Sequence, residues 1–312
     1  MYRYRVYGIT LISEIPISHL PAAGEVDSDV VVVLRVLPTA AFRSLTGDIG
    51  RDSADWFRHA VLQDGSLYLR WEHWVEFLVS PDGRSVFCGN LSNMALSSFE
   101  AYLTTFAISA ALIQQGEEPL HATVVEIGHH SVGLLGQSGA GKSTLAVNLI
   151  KRGGNLITDD MLRVTFNDAI ALAHSGTQRL KLSKELAERF LQGSTYCGRF
   201  CPMGGKLILQ ISQPTDDRGA SRLSALFQLR TPVDDSEASE ILLSPLDGTE
   251  LFTAIASSTM NSRLNSPNRL RRQFRFAERL AGTIPVYKLT YLRKYEVLND
   301  VVDRIIAETA SL

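Results

Sequence analysis

The rhythm of hydrophobic and polar residues changes near residue 94. Before it, alternating or β-branched runs predict strands at Tyr2 to Tyr7, Val30 to Leu37, Leu67 to Trp71 and Trp74 to Val79. A Pro81-Asp-Gly83 turn then leads into a strand at Ser85 to Cys88. From Met94 to Gln115 the period becomes helical. Phe99, Tyr102, Leu103, Phe106, Ala110 and Ile113 recur at three- and four-residue steps, and Gly116 supplies a C-cap. An aromatic stripe at that spacing reads as core packing. From Leu120 onward strands and helices alternate. His121 to Ile127, Ser131 to Leu135 and Asn155 to Thr158 read as strands, and 142–152, 183–191 and 246–260 as helices. The pattern predicts a β-rich N-terminal domain over 1–93, a connecting helix over 94–118 and an α/β domain over 119–312.

The strand at Ser131 to Leu135 runs into Gly136-Gln-Ser-Gly-Ala-Gly-Lys-Ser143, a complete G-x-x-x-x-G-K-[ST] phosphate loop. At ordinary residue frequencies this pattern arises in roughly 1 of 100 chains this long. The helix that follows closes at Gly153-Gly154, so the loop has the strand-loop-helix setting its chemistry requires. Glycines let backbone N–H groups converge on phosphate oxygens at a helix N-terminus. Gly136, Gln137, Ser138, Gly139, Ala140, Gly141, Lys142, Ser143 and Thr144 are therefore the expected nucleotide site. Lys142 would reach the β/γ-phosphates and Ser143 would ligate Mg²⁺.

Asp159-Asp160 ends the strand at Asn155 to Thr158, 17 residues after Lys142. Carboxylates at that sheet edge suit a metal ligand and a base for an attacking hydroxyl. Neighbours on extended backbone point apart, which predicts separate roles for the two. His129-His130 read as turn residues. From Arg263 to Arg275 there are five arginines and no acid. This reads as a solvated helix face, the alternative being a dock for an acidic peptide or a carboxylate.

Composition narrows the classes further. The 312 residues are 45% apolar and 21% charged with a net charge of −2, so nothing draws the whole protein to nucleic acid or an anionic membrane. Three cysteines fit a reducing cytosol, and Cys197-x3-Cys201 lacks further ligands for zinc. The N-terminus carries no apolar signal region, and Phe106 to Ile113 is too short to span a bilayer. A cytoplasmic protein is expected. Thr231 to Glu240, rich in acids beside a proline, reads as an exposed loop.

His121-Ala, the loop, Lys151-Arg-Gly and Leu156-Ile-Thr-Asp-Asp160 together resemble the HPr kinase/phosphorylase family, and are similar to the arrangement in phosphoenolpyruvate carboxykinases. The likeness extends to stand-alone HPr-kinase-like proteins encoded with ribosomal peptides, notably lasso peptides. It rests there on Tyr7-Gly-Ile-Thr, Ser13-Glu-Ile-Pro16, Gly176 to Leu182, Leu246-Asp-Gly-Thr249, Phe274-Arg-Phe276 and Ile284-Pro-Val-Tyr287. It is strong over 120–165 and loose elsewhere.

The resemblance implies an α/β P-loop kinase domain with a smaller β-rich N-terminal domain, Mg²⁺ as cofactor, ATP as co-substrate and a homo-oligomer. It implies Asp159 as the base, Asp160 and Ser143 at the metal, and His121 across the site. Arg179 and Lys206 become candidate phosphate or substrate contacts. The implied acceptor is a serine hydroxyl of a peptide or protein, in particular a lasso-type precursor. Two departures stand out. Thr144 replaces the glutamate of the HPr kinases, which leaves reverse phosphorolysis open, and their R-G-L-G-I signature is absent, which argues against HPr as substrate. Two other readings remain: a small-molecule kinase of the adenylylsulfate-kinase type, and a non-catalytic ATP-binding sensor or scaffold.

Overall fold

The computed structural model describes residues 1–24, 30–47, 56–71, 74–89, 94–190, 194–200, 205–213, 219–232 and 240–312. The first part forms β1 (Tyr2–Val6), β2 (Ile9–Ser13), β3 (Val31–Val36), α1 (Thr39–Thr46), β4 (Phe57–Val61), β5 (Leu67–Trp71), β6 (Val75–Val79) and β7 (Ser85–Cys88). These strands build one seven-stranded mixed sheet in the order β1-β2-β3-β7-β6-β5-β4. Its inward face is set by alternation: Val32, Leu34, Leu69, Phe77, Val79 and Val86 are buried.

A single 19-residue helical run covers that face, as α2 (Leu96–Tyr102), a π-helical turn (Leu103–Ala107) and α3 (Ile108–Gln114). By length and composition it could cross a membrane, contrary to the expectation from the shorter Phe106 to Ile113 run; 83% of it is buried inside the protein. Phe99, Tyr102, Leu103 and Ile108 share one core with Leu69, Phe77 and Trp71. Met161, Met260 and Leu264 from the later chain complete that core, so the N-terminal sheet packs on the rest of the molecule through this helix.

The remaining elements are β8 (Ala122–Ile127), β9 (His130–Leu135), α4 (Lys142–Lys151), β10 (Asn155–Thr158), β11 (Val164–Asn167), β12 (Ile170–His174), β13 (Arg179–Ser183), α5 (Lys184–Phe190), β14 (Ser194–Arg199), β15 (Lys206–Ile211), β16 (Ala220–Arg230), β17 (Leu242–Pro245), α6 (Gly248–Ala256), α7 (Pro267–Ala281), β18 (Val286–Thr290) and α8 (Leu298–Ala310). The 11-residue β16 organises them. Its first residues pair antiparallel with β12, and its later ones lie parallel between β9 and β18. The resulting sheet runs β10-β8-β9-β16-β12-β11, with β18 and β17 continuing from β16. Even and odd residues of its strands feed different cores. Leu134, Phe227 and Leu289 meet α4 and α8, whereas Leu135, Leu226 and Val286 meet α6 and α7. β13, β15 and β14 form a separate three-stranded sheet.

Buried ion pairs join the two parts. Glu100, fully buried on α2, accepts from the Ser18 backbone N–H (2.6 Å), pairs with His19 Nδ1 (2.9 Å) and receives Arg179 Nη1 (2.9 Å). Arg163 donates twice to Glu117 (2.6 and 2.8 Å) and once each to the carbonyls of Tyr7 (3.0 Å) and Gly8 (3.1 Å). Glu118 takes Arg269 Nε (3.1 Å) and Arg272 Nε (3.3 Å).

Two expectations change here. The arginine-rich run is not simply a solvated face: Arg269 is 2% exposed and also donates to the carbonyls of Met260, Asn261 and Leu264. Ser266 caps that helix on the Arg269 N–H with Pro267 at its first turn, which turns Arg269 inward. The helix expected over 246–260 stops at Ala256, and 257–262 form a turn instead. Most of the expected acidic loop at 231–240, together with Cys201 and Gly204, lies outside the described residues.

Burial would push the Glu100 carboxyl up, but bonds from His19 and the Ser18 N–H and the Arg179 charge outweigh it and hold it down at about 2. A carboxylate depressed in the folded state stabilises above its unfolded value of 4.5 and loses that contribution as pH falls toward 2. Urea unfolding between pH 5 and pH 2 should therefore show a loss of about 3 kcal/mol that Glu100→Gln largely removes.

Candidate active site

β10 runs antiparallel to β8, and β8 antiparallel to β9, so β10 and β9 point the same way, as do β16 and β18. The carboxyl ends of four strands thus share one edge, where ligands of open α/β sheets bind. A cleft of about 860 Å³ opens there. Its walls include Gly136, Gln137, Ser138 and Ala140 of the loop, with His121, Asp160, Lys181 and Lys206.

The loop leaves β9 at Gly136, where a Cβ would stand 2.8 Å from that of Ala140. Gly141 has φ of 97° directly before α4, a conformation that suits glycine. Lys142 is 6% exposed, and its ammonium donates to the carbonyls of Gly136 (2.6 Å) and Gln137 (3.3 Å). Burial lowers its pKa, opposed by the charges of Asp160 and Asp159 and assisted by Lys206. A phosphate would compete with those two carbonyls for the ammonium. Arg293 braces the loop from outside by donating to Gly139 O at 2.8 Å.

The two aspartates part company at a tight turn. Thr158 Oγ1 donates to Met161 O (2.7 Å), the Met161 N–H donates to Asp159 O (2.9 Å), and Asp160 adopts φ of 66°. That left-handed conformation is tolerated best by Asp and Asn among non-glycine residues. Asp159 faces inward, 3% exposed, with Oδ1 accepting from Thr123 Oγ1 (2.6 Å) and Oδ2 from the Lys181 N–H (3.2 Å). Asp160 faces the cleft. Its Oδ2 lies 2.5 Å from Lys181 Nζ and its Oδ1 3.8 Å from His121 Nε2. Their proton affinities diverge accordingly. Burial and the neighbouring Asp160 raise the Asp159 pKa, while Lys181 and His121 overcome desolvation and hold Asp160 far below the usual carboxylate range.

Lys181 is the hub of this wall. Besides Asp160 it donates to Thr105 Oγ1 (3.0 Å), and its ammonium lies 4.1 Å from the Phe200 ring centroid. Thr105 and Phe106 come from the π-helical turn of the connecting helix, so the cleft draws on both parts of the chain. The turn at 257–262 adjoins this wall, with Asn261 Nδ2 donating to Phe106 O (3.3 Å), and is tied to the sheet by the His121 N–H donating to Ser258 O (2.6 Å).

Of the residues expected from the sequence, His121, Asp160, Lys206 and the first part of the loop line the cleft, with Lys142 buried beneath its first carbonyls. Ser143 and Thr144 sit half-buried at the start of α4. Asp159 lies behind Asp160 rather than in the wall. Arg179 does not line the cleft: its guanidinium is spent on Glu100 and also reaches Ser18 Oγ (3.4 Å). Lys181, two residues along the same strand face, stands where a phosphate contact was expected. Alternation along Arg179-Leu-Lys181 could have flagged it; Thr105, Phe106, Phe200 and Gln228 had no such signal.

The oxygen donors of Asp160 and Ser143 suit a hard cation such as Mg²⁺, which takes one or two protein oxygens and completes its shell with phosphate and water. Among the described residues no cluster of three or more His, Cys, Asp or Glu could hold a metal alone.

Comparison with known proteins places similarity on this same segment. Residues 114–187 match the family model of the HPr Serine kinase C-terminal domain. The chain is 27% identical over 169 residues to the HPr kinase/phosphorylase of Bacillus cytotoxicus, covering 53% of this chain and 54% of that protein. It is 28% identical over 169 residues to those of Bacillus mycoides and Bacillus cereus, with the same coverage. The chain therefore spans about half the length of the curated relatives it matches. A solved structure, the HPr(Ser) kinase/phosphatase from Coxiella burnetii, aligns at 13% identity and a TM-score of 0.33 over 62% of this chain and 97% of that one.

Because Lys181 is the largest charge holding Asp160 ionised, Lys181→Met should raise the Asp160 titration midpoint by about 1–2 units, the usual effect of an adjacent opposite charge. Carboxyl-carbon NMR of Asp160 reads this directly. An unmoved midpoint would assign the effect to His121 instead.

Proposed function

We propose that this protein is an ATP-dependent kinase that transfers the γ-phosphoryl group to a serine hydroxyl of a peptide or protein. The observation that carries the reading is the Asp160–Lys181–His121 group facing the first residues of the phosphate loop across one cleft. The similarity of residues 114–187 to the HPr Serine kinase C-terminal domain supports it independently. The sequence resemblance to kinases encoded with lasso-type precursors makes a short ribosomal peptide the first acceptor to test.

In this reading Lys142 and Lys206 neutralise the β/γ-phosphates, and the backbone of 136–141 cradles them. The serine oxygen attacks the γ-phosphorus in line, the bond to the β–γ bridging oxygen breaks, and ADP departs. Basicity favours Asp159 as the proton acceptor, but access favours Asp160. Access decides, because proton transfer requires hydrogen-bond reach before a matched pKa. The role expected of Asp159 therefore passes to Asp160, with His121 beside it, and Asp159 holds Thr123 and the Lys181 strand in place. Ser143 and Asp160 are the protein oxygens that would hold Mg²⁺, which when bound supplies charge neutralisation for the transferring group.

Incubation with Mg·ATP and candidate serine peptides should add the mass of one HPO₃ per acceptor. Lys142→Ala should abolish transfer, and Asp160→Asn should lower kcat by roughly 10²–10⁴-fold, with a much smaller loss in Asp159→Asn. The reverse ranking would return the base to Asp159. Nucleotide binding that is intact, with no transfer to any peptide or small hydroxyl compound, would leave a sensor in place of a kinase.

A further inference from the structure

Gln228 has no place in the chemistry above, yet its environment is anomalous. It is 5% exposed and lines the cleft, and its side-chain Oε1 is buried with no hydrogen-bond partner. Buried side-chain nitrogens on His19 and Arg179 also lack a partner, but neither residue lines the cleft. A buried carbonyl-type oxygen without a protein partner costs stability, and beside a cleft it is open to a water or a bound group.

Register locates what that is. Gln228 pairs with Leu135 across the parallel β9–β16 contact, and Leu135 is the residue before Gly136. Gly136 O holds the Lys142 ammonium, the group that in such loops reaches the β/γ-phosphates. Gln228 therefore lies at the terminal-phosphate end of the loop. On β16 it follows the same alternation as Leu226, which packs toward α6 and α7, so its amide faces the side of the cleft that also holds the 257–262 turn. A carboxamide offers one acceptor and two donors on a short rigid plane. One end can accept from a backbone N–H of the acceptor beside its attacking hydroxyl, whose own proton goes to Asp160, while the other donates to a terminal-phosphate oxygen, which fixes the line of attack.

We propose that Gln228 is a positioning residue for phosphoryl transfer, its carboxamide bridging the acceptor backbone beside the hydroxyl and the terminal phosphate. This rests on the kinase reading, but its test does not require turnover. In Gln228→Leu, which keeps the volume and removes the orphaned oxygen, the ligand-free protein should melt at the same temperature as the wild type or higher. Its ADP affinity, measured by calorimetry with Mg²⁺ present, should stay within about twofold. Its affinity for the non-hydrolysable triphosphate AMP-PNP should fall by about tenfold, the worth of one hydrogen bond to a charged group. Where transfer is observed, kcat should fall with little change in KM for ATP. The proposal is overturned if ADP and AMP-PNP affinities fall together, if neither changes, if the variant melts lower, or if the wild type binds neither nucleotide. A wild type that binds both nucleotides but transfers nothing removes the kinase reading while the ratio of the two affinities still decides the role of Gln228.

Discussion

Three carboxylates on one stretch of chain, Glu100, Glu117 and Glu118, fix how the two halves of the molecule meet. Each is answered by an arginine from the later part, Arg179, Arg163 and Arg269, and each arginine also secures atoms beyond the pair. Such pairs add little net stability, since both charges were well solvated before folding. Removing one partner is another matter, because it strands a charge in a low dielectric at a cost of about 3–5 kcal/mol. What the pairs contribute is position. Arg163 holds the Tyr7–Gly8 turn of the first sheet, Arg179 anchors β13, and Arg269 gathers the carbonyls of 260–264 beside the cleft. A shift of the connecting helix would therefore move Thr105, Lys181 and the 257–262 turn together.

The cleft inherits a division of charge from this frame. Adjacent aspartates would repel each other if both faced one solvent pocket. The left-handed turn at Asp160 separates them, placing one carboxylate against Thr123 and a backbone N–H and the other against an ammonium. A strained residue is held by bonds on both sides of it, at Thr158 and Met161. Strain maintained by its surroundings marks places where geometry matters more than local stability. Lys142, withdrawn onto its own loop carbonyls, and Gln228, with an unmet oxygen, show the same preference near the phosphate loop.

Local signals made much of this legible in the sequence. The strand at 67–71 is written as a short apolar run, those at 85–88 and 155–158 as short strands bounded by turn residues, and the loop in its glycines. Long-range pairing is not written that way. The carboxylates at 117 and 118 look like an exposed helix end until Arg163 and Arg269 arrive from 46 and 151 residues away. Arg179 and Lys181 carry similar charge two residues apart, and only the placement of Glu100 against Thr105 decides which enters the cleft. The aromatic stripe of the connecting helix was legible as core, and five of its residues pack there or against it. The π-helical turn that brings Phe106 to the cleft was not legible, because it leaves the apolar spacing intact.

That turn bears on which acceptor such a site would take. The loop, the aspartate turn and His121 all fall within 114–187, the segment similar to the HPr Serine kinase C-terminal domain. Thr105, Phe106, Phe200, Lys206, Gln228 and the 257–262 turn, which also line the cleft, fall outside it. Groups that bind phosphate need backbone N–H and ammonium donors, with carboxylate acting only through a bridging cation, and these tolerate little change in spacing. Groups that bind an acceptor's side chains need shape and apolar area, which π-turns and hairpins can vary at small energetic cost. In the proposed kinase reading, Lys206 and Gln228 join the matched residues in handling phosphate, and the unmatched apolar groups are left to choose the recipient. An acceptor for this chain should accordingly be sought by complementarity to Phe106, Phe200 and Met260 beside Lys181, and not by analogy with the substrate of the matched segment.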